Sequence, residues 1–275
     1  MANTSYFCRK YFCFLAIQSG EMNQELSILP SMKILDIVDR NYVYGTVLRF
    51  FGIDFYKYPE SQLGTLCKDR GINMKLLMKH LGNASRQGVN YDDVLPNYPV
   101  DIVIEYLKDG HKQFVRHQLP YMADLIANIA PCHFDNPELA KDLKFVFPLF
   151  AEDFIRHIYE EEATLFKYIV HLQKALAGNY HLGKLFFEMN RHSISIFASE
   201  HLEEDDEMEG IRLMTNNYAI TEQTSTYTKV IYSELQQFEK ELSLHAAVEN
   251  NILLQKAQIL ENQVWDLMRT VSKKN

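Results

Sequence analysis

The sequence predicts an all-α protein, built as an up-down-up-down four-helix bundle preceded by a small helical domain. In the second half of the chain, apolar residues recur at spacings of three and four over long stretches, which is typical of amphipathic helices. No stretch shows the alternation of apolar and polar residues that indicates strands. The 275 residues include only 8 prolines and 11 glycines, so few residues interrupt long helices.

The N-terminal part of the chain is expected to divide into three segments. Residues 1–30 are predicted to be a poorly ordered extension, since "YFCFLAI" resembles a signal-peptide core only weakly and no cleavage site follows it. Met22 or Met32 would serve as an alternative translation start. Residues 31–82 read as short helices in a small domain, with Gly71 ending one of them. Residues 83–99 hold glycines, prolines and asparagines without periodicity and are predicted to be a linker.

Residues 100–271 carry the predicted bundle. Four long amphipathic stretches are separated by short connections, which is the pattern of antiparallel neighbouring helices. They span residues 100–130, 136–178, 181–217 and 221–271.

Composition excludes several classes of protein. A net charge of -8 argues against nucleic acid or an anionic membrane as the partner, and no apolar run approaches the 18 or so residues that span a bilayer. The four cysteines form no Cys-x-x-Cys pair, so reduced thiols in a cytoplasmic protein are expected. They are Cys8, Cys13, Cys67 and Cys132.

Two histidine–carboxylate pairs at the same spacing indicate a metal site. His245 and Glu249 share one helix face, and so do His157 and Glu161. One such pair is usually a hydrogen-bonded surface pair. Two pairs on different long helices, with further histidines on the others, favour a metal. Mixed nitrogen and carboxylate ligands suit iron or manganese better than a structural zinc. The candidate ligands are His111, His133, His157, Glu161, His201, His245 and Glu249.

Four motifs resemble those of the hemerythrin-like repair-of-iron-centres family of di-iron proteins. "SLHAAVENNILL" is similar to its H-x-x-x-E-N-N-x-L-F element, and "RHIYEEEATLF" to its H-M-x-K-E-E-x-x-L-F element. "SEHLEEDDEMEGIRLMTNNY" and "HQLPYMADLIANIAPCH" resemble two further elements. The resemblance implies two Fe ions in an oxo- and carboxylate-bridged centre. Its histidine ligands would be His133, His157, His201 and His245, with Glu161 and Glu249 as bridges.

The first-helix ligand of that family has no direct counterpart. An ungapped count back from Leu119 places it on Lys112, whose ammonium group has no lone pair to donate. We expect the neighbouring His111 to face the metal instead, by a helix shift or a wide π-type turn. His117 is a weaker substitute, and an open metal position is the remaining alternative. Glu160 and Glu162, on either side of Glu161, are expected to point to solvent.

The N-terminal domain resembles the small domain that precedes the family's bundle, but Tyr56 and Lys57 stand where the family carries a cysteine pair. Thiol chemistry is therefore not expected there, and docking or a homodimer contact remains as its use. Deleting this domain is expected to leave the iron site intact.

The resemblance implies a protein that protects against nitrosative and oxidative stress, by donating iron to damaged iron–sulfur clusters or by reducing nitric oxide. Its partners would be damaged iron–sulfur proteins and nitric oxide or O2. An alternative is a hemerythrin-type protein that binds or senses oxygen without turnover. A third is a degenerate relative that binds metal weakly and serves as an interaction protein. Whether the protein is an enzyme stays open at this point.

Overall fold

The computed structural model describes residues 28–83, 95–134, 136–203 and 206–274. Within these ranges the chain is helical, and the only β pairing is an isolated antiparallel bridge between Lys33 and Gln62. The prediction of an all-α bundle is therefore confirmed. Most of the predicted extension 1–30, and most of the predicted linker 83–99, lie outside the described residues. None of the helices in the described ranges combines the length and apolar character needed to cross a membrane.

The chain forms two compact units. The first takes in the described residues within Met1–Asn90, Asp124–Lys144 and Met214–Gln237. The second takes in those within Tyr91–Ala123, Phe145–Leu213 and Phe238–Asn275. The predicted limits of the small domain and of the bundle stay a prediction.

Short helices build the N-terminal part of the first unit. Their buried faces carry the apolar residues that the sequence spaces three and four apart, such as Ile34, Ile37 and Val38. Gly71 follows the third helix with φ +65, a left-handed conformation that favours glycine, as expected of a residue that ends a helix. The helices are α1 (Ile34–Arg40), α2 (Tyr44–Phe50), α3 (Leu63–Asp69) and α4 (Met74–Asn83).

Three of the four long amphipathic stretches are long helices, and each is interrupted by one π-helical segment. The first stretch contains α5 (Val100–Gln113) and α6 (Leu119–Asn128) around the π segment Phe114–Gln118. The second contains α7 (Pro137–Glu161) and α8 (Lys167–Leu176) around Glu162–Phe166. The fourth contains α12 (Thr226–Val248) and α13 (Leu254–Lys274) around Glu249–Leu253.

The third stretch is divided into α9 (Leu182–Arg191), α10 (Ile194–Glu203) and α11 (Glu209–Met214). The start of α10 is fixed by a buried carboxylate, because the backbone N–H of Ile194 donates to Glu261 at 3.1 Å. The hydroxyl of Tyr168 donates to the same carboxylate. After α11, three consecutive residues, Asn216 to Tyr218, adopt positive φ angles that end the helical path.

Apolar side chains fill most of the core of the second unit. Rings of Phe114, Phe154 and Phe238 meet edge to face at 5.4 to 5.8 Å. Fully buried aliphatic and aromatic side chains, among them Leu107, Leu253 and Phe166, belong to the adjoining core cluster. Phe166 and Phe114 each contact a histidine ring, His111 and His245 respectively, and these two histidines belong to the candidate site.

Candidate metal centre

Three side chains from separate parts of the sequence meet inside the second unit. His111 comes from α5, Glu161 ends α7, and His245 lies on α12. One ligand atom from each lies within 4.8 Å of the other two. The two Nε2 atoms are 3.0 Å apart, and Nε2 of His111 is 3.3 Å from a carboxylate oxygen of Glu161. Three groups that metals favour thus converge with their donor atoms inward.

A π segment lies beside each of these positions. One begins at Phe114, three residues after His111; the second begins directly after Glu161. The third begins at Glu249, four residues after His245. A π turn holds one residue more than an α turn and often marks a functional site, because it turns side chains to a face that regular α spacing would not give them.

The register of α5 places His111, not Lys112, in the site. Leu107, His111 and Phe114 are buried at spacings of four and three, and Lys112 is exposed. The π segment Phe114–Gln118 stands between this helix and Leu119. The wide π-type turn that would let His111 reach the metal is therefore present, three residues after it.

Burial dominates the electrostatics of the site. His111 is 2%, Glu161 6% and Glu249 3% exposed. Burial raises the pKa of Glu161 to about 7, although a hydrogen bond with Glu249 opposes the rise. Burial also lowers the pKa of His111, against the opposing effect of Glu162. Two buried carboxylates in contact repel each other when both are charged, so the arrangement favours either a shared proton or a cation.

The donor set fits a transition-metal ion. Two imidazole nitrogens each about 2.1 Å from one ion, at a right angle, would lie about 3.0 Å apart. The ε nitrogens of His111 and His245 have this separation. In addition, Oε1 of Glu161 is buried and has no hydrogen-bond partner among the residues that the structure describes. A buried carboxylate oxygen with no donor is costly unless a cation satisfies it.

Two contributors to the site escape sequence analysis. Glu162 was expected to point to solvent, and that prediction was wrong: Nδ1 of His111 lies 2.8 Å from Oε1 of Glu162. The reason is the π segment, which starts at Glu162 and breaks the α spacing on which the expectation depended. Gly110 is the second contributor. A Cβ on this residue would lie 3.0 Å from Nδ1 of His245, so only glycine leaves the ring its full space. A glycine inside a helix, next to a candidate ligand, was the available signal.

The other predicted ligands differ in burial and in the unit to which they belong. His157 is half-buried, one turn before Glu161, and Glu249 is buried at the start of its π segment. His133 belongs to the first unit, where its exposed ring stacks on Tyr227 at 4.3 Å. His201 lies in α10, but its side chain is outside the described residues. His117 is exposed. The role of each as a ligand stays a prediction.

Tyr56 and Lys57, at the positions of the family's cysteine pair, have a structural use. The Tyr56 hydroxyl donates to Asp124 at 2.5 Å, and the Lys57 ammonium donates to the same carboxylate oxygen at 2.7 Å. Among the described cysteines, Cys67 is a buried free thiol and Cys132 an exposed one. Cys8 and Cys13 lie outside the described residues.

No family model matches the chain. It is, however, similar to curated proteins named iron–sulfur cluster repair protein YtfE. The protein of Escherichia coli O17:K52:H18 (strain UMN026 / ExPEC) is 23% identical over 213 residues, which cover 78% of this chain and 90% of the relative. The proteins of Shigella boydii serotype 4 (strain Sb227) and Escherichia coli (strain K12 / DH10B) give the same identity and coverage. The resemblance drawn from the motifs is thereby confirmed: the chain is similar over most of its length to the iron–sulfur cluster repair proteins, a hemerythrin-like di-iron family.

Proposed function

We propose that the chain is a di-iron protein that repairs iron–sulfur clusters damaged by nitrosative or oxidative stress, by donating iron or by removing nitric oxide through its reduction. The observation that carries this proposal is the convergence of His111 and His245 on the buried carboxylate of Glu161. The similarity to proteins named for iron–sulfur cluster repair supports it, since it extends over most of both chains.

Under this proposal His111, Glu161 and His245 would bind the metal. The resemblance adds Glu249, and the hydrogen bond between Glu161 and Glu249 brings the two proposed bridging carboxylates together. Further ligands implied by the resemblance are His133, His157 and His201. When bound, the iron pair would supply iron for transfer and electrons for reducing nitric oxide.

The surrounding residues prepare the ligands for a cation. Burial lowers the pKa of His111, so its imidazole stays neutral and keeps a lone pair for a metal. Phe166 stacks on this ring at 5.5 Å, and Phe114 meets the ring of His245 edge to face at 5.5 Å. These rings keep water from the donor atoms and lower the local dielectric constant, which strengthens the attraction between the carboxylates and a bound cation.

Under this proposal the macromolecular partners are damaged iron–sulfur proteins, to which iron is delivered as cargo. Nitric oxide and O2 are the small molecules that would meet the iron pair. We place this activity in the cytoplasm, where reduced thiols such as the free Cys67 and Cys132 persist. Nucleic acid is not an expected partner, since the net charge is -8.

Metal analysis followed by a transfer assay tests the proposal. The purified full chain, supplied with ferrous iron, should retain about two irons, as a dinuclear site requires. Incubated with an iron–sulfur enzyme whose cluster has lost iron, it should restore that enzyme's activity, and a His245→Ala variant should not. The reduced protein should also give an iron–nitrosyl spectrum with nitric oxide.

Two outcomes would overturn this assignment. Retention of less than half an iron per chain, or of zinc in its place, would exclude the di-iron centre. A stable, reversible O2 adduct with no iron transfer and no reaction with nitric oxide would instead indicate the oxygen-binding function.

A further inference from the structure

Two consecutive glutamates contact opposite nitrogens of one imidazole. Oε2 of Glu161 lies 3.3 Å from Nε2 of His111, and Oε1 of Glu162 lies 2.8 Å from its Nδ1. Adjacent residues of an α-helix point about 100° apart and do not face each other. The π segment that starts at Glu162 departs from this α spacing, and both carboxylates reach the same ring.

The contact with Glu162 decides which nitrogen of His111 carries the proton. A neutral imidazole has one N–H donor and one acceptor nitrogen. A carboxylate accepts hydrogen bonds, and the contact of Glu162 with Nδ1 at 2.8 Å is shorter than that of Glu161 with Nε2 at 3.3 Å. Nδ1 is therefore the nitrogen that donates, and Nε2 keeps its lone pair. That lone pair faces Nε2 of His245 and Glu161, where the metal is proposed to bind.

The same contact fixes the orientation of the ring. His111 lies parallel to Phe166, with an interplanar angle of 2° and centroids 5.5 Å apart. Stacking fixes the plane of the ring but not its edge, because a half-turn about χ2 keeps the same plane; the directed hydrogen bond from Nδ1 to Glu162 selects one of the two orientations. Glu162 and Phe166 are the first and last residues of one π segment, so a single local distortion supplies both restraints.

We propose that Glu162 is a positioning residue of the iron centre, which holds His111 in the tautomer and orientation that present Nε2 to the metal. The proposal rests on the proposed function in one respect, that His111 is a ligand. Glu162 itself is a partner of the ligand and not a ligand. Carboxylates in this role also increase the basicity of the imidazole, and their loss typically lowers metal affinity by about 10- to 100-fold.

The chain offers a matched set of variants. Glu162→Ala removes the acceptor, and Glu162→Gln keeps a carbonyl oxygen that can still accept from Nδ1. Glu160→Ala is the control, because Glu160 belongs to the same rod and its side chain is exposed. Each full-length variant would be loaded with ferrous iron. The measurements are the rate of iron loss to a ferrous chelator, the absorption bands of the oxidised form, and the melting temperature of the metal-free protein.

We expect Glu162→Ala to lose iron at least about 10-fold faster than the wild-type chain and to shift the absorption bands, because the ligand loses its partner. Glu162→Gln should recover much of the retention, and Glu160→Ala should match the wild-type chain. The melting temperature of the metal-free protein identifies any general loss of folding. Should Glu162→Ala fold poorly, Glu162→Gln still tests the inference. It must release iron faster than Glu160→Ala, yet far more slowly than His111→Ala.

Equal iron retention and equal spectra in Glu162→Ala and the wild-type chain would overturn the inference and leave the proposed function standing. A wild-type chain that retains no iron would overturn the proposed function, and this inference with it. The two failures are therefore distinct.

Discussion

The ε nitrogens of His111 and His245 lie 3.0 Å apart, although 134 residues separate them in the chain. Two neutral imidazoles brought this close share one hydrogen bond at most, whereas a metal ion satisfies both lone pairs.

His245→Ala should abolish most metal binding and lower the melting temperature of the iron-loaded chain. Metal binding stabilises the folded state because the assembled site exists only there. The control is His192→Ala, since that histidine is exposed. Metal analysis and thermal unfolding with and without iron are the measurements. Equal iron content in the two variants would contradict the assignment of His245.

Gly110→Ala should lower the metal affinity of the site without lowering the stability of the metal-free fold. Alanine favours a helix over glycine by about 1 kcal/mol, so the metal-free chain should unfold at an equal or higher temperature. The added Cβ would lie 3.0 Å from Nδ1 of His245 and should displace the ring, which lowers metal affinity.

Gly82→Ala is the matched control for that variant, because a Cβ at this helical glycine meets nothing within 4 Å. It should keep full metal affinity. A metal titration of both variants is the measurement. Unchanged metal affinity in Gly110→Ala would show that the close approach of Gly110 to the ring of His245 has no effect on the site.

The contribution of Glu161 to the stability of the metal-free chain should be lost as pH rises from about 4.5 to about 7. Burial raises the pKa of Glu161 from its ordinary 4.5 to about 7, so the folded state binds more protons than the unfolded state in that window. The stability that this carboxyl group contributes is therefore fully present below pH 4.5 and is lost as the pH rises through about 7. It amounts to about 3 kcal/mol at most.

His111 acts in the opposite direction, because burial lowers its pKa and its contribution is lost as pH falls below 6.5. Subtracting the unfolding free energies of Glu161→Gln from those of the wild-type chain at each pH isolates the contribution of the Glu161 carboxyl group. Denaturant unfolding of the two metal-free proteins across this range is the measurement. If the unfolding free energies of the two proteins change in parallel with pH, Glu161 ionises in the folded protein as it does in the unfolded chain, which would contradict the prediction.

Tyr56→Phe should destabilise the first unit without any effect on metal content. The hydroxyl donates to Asp124 at 2.5 Å, and the Lys57 ammonium shares that carboxylate and holds the pKa of Asp124 below its ordinary value. Since Asp124 is partly exposed, a loss of about 0.5–1.5 kcal/mol is expected. Tyr58→Phe, whose ring lies against Arg70, is the control. A loss of iron in Tyr56→Phe would link this contact to the metal centre.

The all-α class and the long amphipathic rods were predictable from the sequence, because helical periodicity is a local property that apolar spacing reports directly. The pairs His157–Glu161 and His245–Glu249 were visible for the same reason, since residues four apart share a helix face. The motifs around these pairs carried the resemblance to the iron–sulfur cluster repair proteins, which the comparisons support.

Tertiary structure alone decided which side chains converge. The π segment at Glu162 departs from regular α spacing, so the expectation that depended on that spacing missed the contact between Glu162 and His111. The space that Gly110 leaves for His245 depends on two helices far apart in the chain, and no local pattern records it. Residues four apart interact through geometry that any α-helix provides, whereas contacts across 134 residues exist only once the rods have packed.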